Sequence, residues 1–103
     1  MYIIIWEYFV KPEHLAEFED IYSQTGAWAE LFQKSRGFLK TELLRDDEHL
    51  QRYITIDQWV SSQHYEQFLS QWKTEYFALE AHCENLTEKE ALLVKGGSVL
   101  GET

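Results

Sequence analysis

The chain is poor in the residues that staple or break a small domain: one Pro, five Gly, one Cys and one Met in 103 residues. So little Pro and Gly excludes fibrous and disordered chains. A single cysteine, Cys83, excludes an intrachain disulfide and points to a reducing, cytoplasmic setting. Cations are scarce as well. Nine Lys and Arg stand against 18 Asp and Glu, a net charge of −9. No basic cluster could follow a phosphate backbone or an anionic bilayer, so neither nucleic acid nor membrane is an expected partner. The apolar start Met1-Tyr2-Ile3-Ile4-Ile5-Trp6 has no basic flank, and Glu7 interrupts it. That argues against a signal peptide or membrane span. No His-x-x-x-His or Cys-x-x-Cys pair, Gly-rich phosphate loop or nucleophile elbow occurs, so metal, nucleotide and hydrolase readings have no basis.

What is present is apolar and aromatic. Apolar residues make up 45% of the chain and aromatic residues 16%, with four Trp, six Tyr and six Phe. A chain of this length is one domain with one core. Its rings exceed what such a core hides, so a ligand cavity or a subunit interface is expected to take the excess.

Residues 2–10 read as a strand that is apolar on both sides. Tyr2, Ile4, Trp6, Tyr8 and Val10 share one side; Ile3, Ile5, Glu7 and Phe9 share the other. Such a strand is covered twice. Pro12 suits a first helical turn, and Leu15, Phe18, Ile21 and Tyr22 recur at helical spacing until Gly26. A short helical run with Trp28, Leu31 and Phe32 inward ends at Arg36-Gly37. Residues 38–45 form a second strand, and 46–49 a polar turn. Residues 52–59 then alternate around Ile54 and Ile56, a third strand with one greasy and one polar side. Ser61 or Ser62 caps a long helix over 61–83, with a bend near Lys73-Thr74. Residues 90–95 form a last strand, and Gly96-Gly97 opens a flexible tail.

The order β-α-β-β-α-β predicts an α+β, ferredoxin-like fold: a four-stranded antiparallel sheet with helices on one face. Residues 1–95 are the domain and 96–103 the tail. The bare sheet face predicts a homodimer. Trp59, at the corner where the third strand hands over to the long helix, is placed at the mouth of a cavity.

Three stretches carry a family resemblance: Phe-Val-Lys-Pro-Glu at 9–13, Ser-Arg-Gly-Phe-Leu at 35–39, and Tyr-Ile-Thr-Ile-Asp-Gln-Trp-Val-Ser-Ser-Gln-His-Tyr at 53–65. In that order, over roughly residues 2–95, the chain resembles the antibiotic biosynthesis monooxygenase family of dimeric α/β-barrel proteins. The resemblance implies one of two chemistries. One branch oxygenates phenols or anthrones to quinones with no cofactor, the electron-rich substrate itself reacting with dioxygen. Another degrades haem. The tryptophan and tyrosine of the cofactor-free branch fall on Trp59 and Tyr65, while its asparagine falls on Thr55, a departure. The haem branch has an asparagine on the first strand, where this chain has Trp6 and Glu7, and a ligating histidine on the second long helix. His64 and His82 lie on that helix, but neither matches the ligand position.

Cofactor-free oxygenation needs a dry pocket, a proton acceptor and donors for developing charge. Trp59 and Tyr65 are the candidate catalytic residues; each is otherwise a core aromatic. Trp6, Glu7, Thr55 and His82 are candidate substrate contacts. Glu7 is either a buried carboxylate with a raised pKa or half of an ion pair with Arg45 or Arg52. His82 faces inward as a pocket residue or a hydrogen-bonded structural one; His64 near the helix start is a solvated or capping residue, with a catalytic role as the alternative, and His14 and His49 are surface groups. The leading expectation is a cytoplasmic, homodimeric, cofactor-independent monooxygenase acting on a small aromatic, anthrone or quinol-like molecule. The alternatives are a non-catalytic small-molecule-binding or dimerisation module, and a haem-degrading oxygenase.

Overall fold

The computed structural model describes residues 1–99. Four strands, β1 (Tyr2–Val10), β2 (Phe38–Arg45), β3 (Arg52–Trp59) and β4 (Thr87–Gly97), form one antiparallel sheet in the order β2-β3-β1-β4. Between β1 and β2 run a 3₁₀ turn at Pro12–His14, helix α1 (Leu15–Tyr22) and helix α2 (Ala27–Phe32). Between β3 and β4 run α3 (Ser62–Gln71), α4 (Lys73–Cys83) and a 3₁₀ turn at Glu84–Leu86. This is the ferredoxin-like α+β arrangement. The sheet of the single chain is open and does not close into a barrel.

Local chemistry explains most boundaries. Ser61 is extended, and its Oγ accepts the His64 N–H at 3.2 Å, which caps α3. The expected long helix breaks at Trp72, which leaves helical geometry at φ −112°, ψ 28°. Gly26 opens α2, where a Cβ would lie 2.3 Å from the Asp20 carbonyl. Strand β4 is longer than its sequence suggests, from Thr87 to Gly97, because pairing with β1 along its length overrides weak local preference. Its register slips between Ile5 and Trp6 and between Phe9 and Val10. Gly96 and Gly97 thus belong to the strand; residues 100–103 of the expected tail lie outside the described residues.

The two sides of the sheet are unlike. On the helix side, Ile4, Tyr8 and Val10 of β1 and Tyr53, Thr55, Asp57 and Trp59 of β3 are buried. Ile54 and Ile56 lie on the opposite, open side, only half-buried. The alternation foreseen in β3 is present, but its polar set faces inward. Two aromatic clusters fill the space under the helices. One is built on Phe18, Tyr22 and Tyr53, the other on Phe32, Trp59 and Phe68, and Trp6, Trp28 and Leu79 pack against both. Burying each such large side chain stabilises the fold by roughly 1.5–3 kcal/mol.

Candidate active site

A cavity opens where the two clusters meet. Ile4, Trp6 and Tyr8 of β1 and Thr55 and Asp57 of β3 form its floor, with Thr41 of β2 beside them. Tyr22, Trp28, Phe32, Tyr65 and Tyr76 wall it from the helices. Glu80, Cys83 and Glu84 from the end of α4 and the turn after it, and Thr87 and Glu90 from β4, complete the rim. Water centres fit into ≈ 60 Å³ of it, several waters' worth, since about 10–15 Å³ holds one.

Asp57 is its dominant polar group. The residue is 8% exposed, and its carboxylate accepts a hydrogen bond from Thr41 Oγ1 at 2.5 Å. Burial pushes its carboxyl up to about 6, against the opposing pull of that bond. Antiparallel pairing sets Thr41 directly opposite Asp57, so the sheet register itself supplies the partner. Beside it, Thr55 is 4% exposed. Thr55 lies close enough to Tyr8 to pull that phenol's pKa down against the effect of burial, while Thr55 Oγ1 makes no geometrically formed hydrogen bond among the described residues.

Burial pushes the Tyr65 hydroxyl up to about 12 and raises those of Tyr8 and Tyr76, with Asp57 adding to each. All three therefore stay protonated near neutrality and can donate hydrogen bonds. An acceptor of protons thus faces phenolic donors in a largely apolar enclosure, the pairing that proton abstraction with stabilisation of the resulting anion requires.

The expected residues divide evenly. Trp6, Thr55 and Tyr65 line the cavity. Trp59 does not. It is 0% exposed, packed against the rings of Phe32, Phe38, Tyr65 and Phe68 at 5.2–5.4 Å. Its indole N–H is enclosed without an acceptor among the described residues. Trp59 therefore backs Tyr65 rather than forming the mouth. Glu7 points to the open side of the sheet, where Arg52 Nε donates to it at 2.7 Å and Arg52 Nη1 reaches Asp46 at 3.2 Å. That is the ion-pair reading of Glu7. The His82 side chain is 61% exposed and sits 3.8 Å from Glu17, outside the cavity, because α4 turns it away from the sheet. His64 Nδ1 lies 2.7 Å from Ser61 Oγ at the helix cap. None of the four histidines lines the cavity, so the haem reading lacks its ligand there.

Asp57 was missed in the sequence. The available signal was its place two residues from both Thr55 and Trp59 on one side of β3.

A model of the antibiotic biosynthesis monooxygenase family matches residues 1–85. The chain belongs to that family. Family members among solved structures share its fold. SnoaB, a cofactor-independent oxygenase from Streptomyces nogalater, is 20% identical, with a TM-score of 0.71 over 96% of each chain. A candidate antibiotic biosynthesis monooxygenase from Bordetella bronchiseptica is 22% identical, with a TM-score of 0.74 over 96% of this chain and 97% of that one. Another from Nitrosomonas europaea is 13% identical, with a TM-score of 0.75 over 96% and 91%. No curated protein matches the chain. Among the described residues no helix is long and apolar enough to cross a membrane.

Proposed function

We propose that this family member is a cofactor-independent monooxygenase acting on a small aromatic, anthrone or quinol-like substrate in the cavity between sheet and helices. The observation that carries the reading is Asp57, a buried carboxylate raised to about 6 within a ring-lined cavity. For an anthrone, Asp57 takes a proton from the activated methylene. The carbanion passes one electron to dioxygen, and the radical pair couples to a peroxide that recovers the proton from Asp57. Loss of water leaves a carbonyl. One oxygen atom enters product and the other leaves as water, with substrate as the only reductant. Tyr65 and Tyr76 donate hydrogen bonds to the enolate and peroxide oxygens, while Trp6, Trp28 and Thr55 orient the substrate.

The same proposal includes a homodimer through the open sheet face and a cytoplasmic setting. The dimer is supported by an apolar row, Ile56, Ile5 and Val94, that register sets side by side across three strands. The setting is supported by the lone unpaired cysteine, Cys83.

Oxygen uptake with a panel of anthrones and naphthoquinols tests the reaction. Uptake that is abolished in Asp57→Asn is the expected result. Binding without uptake across the panel would leave the chain a non-catalytic binding module. Haem added to the protein should leave a flat Soret region.

A further inference from the structure

The charge lining the cavity is one-sided. Asp57, Glu80, Glu84 and Glu90 border it, and no Lys, Arg or His does. The Lys95 ammonium lies 5.4 Å from the centre of the Tyr65 ring but is not a lining residue. Glu80, Glu84 and Glu90 have no ion-pair partner among the described residues. Nor do they converge on one point: no group of three or more described His, Cys, Asp or Glu is placed to hold a metal ion. The carboxylates instead edge an enclosure whose walls are the rings of Trp6, Trp28, Tyr65 and Tyr76. Negative ring faces beside spread carboxylates suit a diffuse organic cation better than a compact inorganic one. Deeper in, the enclosed and unpartnered Thr55 Oγ1 points to a ligand hydrogen-bonding group at the floor.

Such a cavity is badly suited to a negative substrate, and it offers an anion formed during reaction no protein cation. A substrate that brings its own positive charge resolves both problems. We propose that the substrate is an aromatic molecule carrying a protonated amine, its ring between the aromatic walls and its ammonium at the rim against Glu80, Glu84 and Glu90. This rests on the cavity being the substrate site, as in the oxygenase reading. The rim carboxylates then select by charge, and Asp57 is left to take the proton. Burial, with the neighbouring Glu80 adding, holds Glu90 above its ordinary range, and an incoming ammonium favours its charged form against both.

The test is a matched trio of hydroxynaphthalenes bearing an aminomethyl, a methyl or a carboxylate group, titrated into the protein by calorimetry without turnover. The aminomethyl compound is expected to bind roughly tenfold more tightly than the methyl compound, the size of two or three solvent-screened ion pairs. The carboxylate compound is expected to bind most weakly. The triple variant Glu80→Gln, Glu84→Gln, Glu90→Gln should erase the ranking. A control of equal charge change on exposed residues outside the cavity, Glu13→Gln, Glu30→Gln, Glu48→Gln, should keep it. Equal affinities in the wild type, a ranking that survives in the rim variant, or no binding by any of the three would overturn the proposal. Because the readout is binding, a charge preference without oxygen uptake would refute the oxygenase reading alone.

Discussion

A carboxyl raised to about 6 by burial is ionised at neutral pH at a cost to the fold. Because the folded value lies above the ordinary 3.8, Asp57 stabilises the fold below about pH 4 relative to neutral pH, and that contribution is lost as pH rises through about 6. Replacing it by Asn removes the penalty above pH 7, on the order of 2–3 kcal/mol. Asp57→Asn should therefore melt at a higher temperature than the wild type at pH 8 and about equally at low pH, while losing oxygen uptake. Wild-type turnover should rise with a single ionisation near 6, which a pH–rate profile reads directly. Trp59 and Tyr65 separate in the same spirit. Trp59→Phe shrinks a fully buried ring and removes an indole N–H that has no acceptor, so it should cost about 1–3 kcal/mol in denaturant unfolding and leave the rate within about threefold. Tyr65→Phe keeps the packing and removes a donor, so the rate should fall by about 10–100-fold with little change in stability. Equal rate losses in the two would return Trp59 to the chemistry. Trp59 stood out at its strand-to-helix corner and in the family resemblance, whereas Asp57, on the same side of β3, carries no local mark. The burial that raises its carboxyl and its Thr41 partner both come from elements distant in sequence. Alternation in β3 marks a strand but not which side faces in, and here Ile54 and Ile56 take the open face.

At the scale of elements, the start of β2 and the first turn of α3 sit against each other. A Cβ on Gly37 would lie 2.2 Å from His64 Cβ, and Ser61 holds His64 through both its N–H and its ring. Gly37→Ala should destabilise by about 1–3 kcal/mol through overpacking. His64→Ala should not rescue it, since the obstructing atom is Cβ itself. Rescue by that substitution, seen in chemical denaturation, would mean that the ring and not the backbone spacing sets the contact. Helices and hairpin were legible because caps, periodicity and turn residues act locally. The ends of β4 were not, since Thr87, Glu88 and Lys89 have no local strand signal and are extended by pairing with β1.

At the scale of the molecule, the open sheet face carries Ile3, Ile5, Phe9, Ile54 and Ile56 half-buried, with Leu44 at 48% and Val94 at 47% exposure. A second copy covering it removes that surface from water, and the Glu7–Arg52 pair lies within the same face. Light scattering at micromolar concentration should give twice the chain mass, and Ile5→Lys, central in the apolar row, should give a monomer. A wild-type monomer would contradict the interface. The sheet order has one more consequence, in the timing of synthesis. β1 is central, flanked by β3 and β4, and β4 is the last of the four strands to be made. Between the completion of β3 and the delivery of β4, the most apolar strand of the chain can pair along only one edge, its other row of amides standing open to any strand nearby. Nascent chains arrested between β3 and β4 should thus be the aggregation-prone form, and arrival of residues 87–97 closes the open edge of β1.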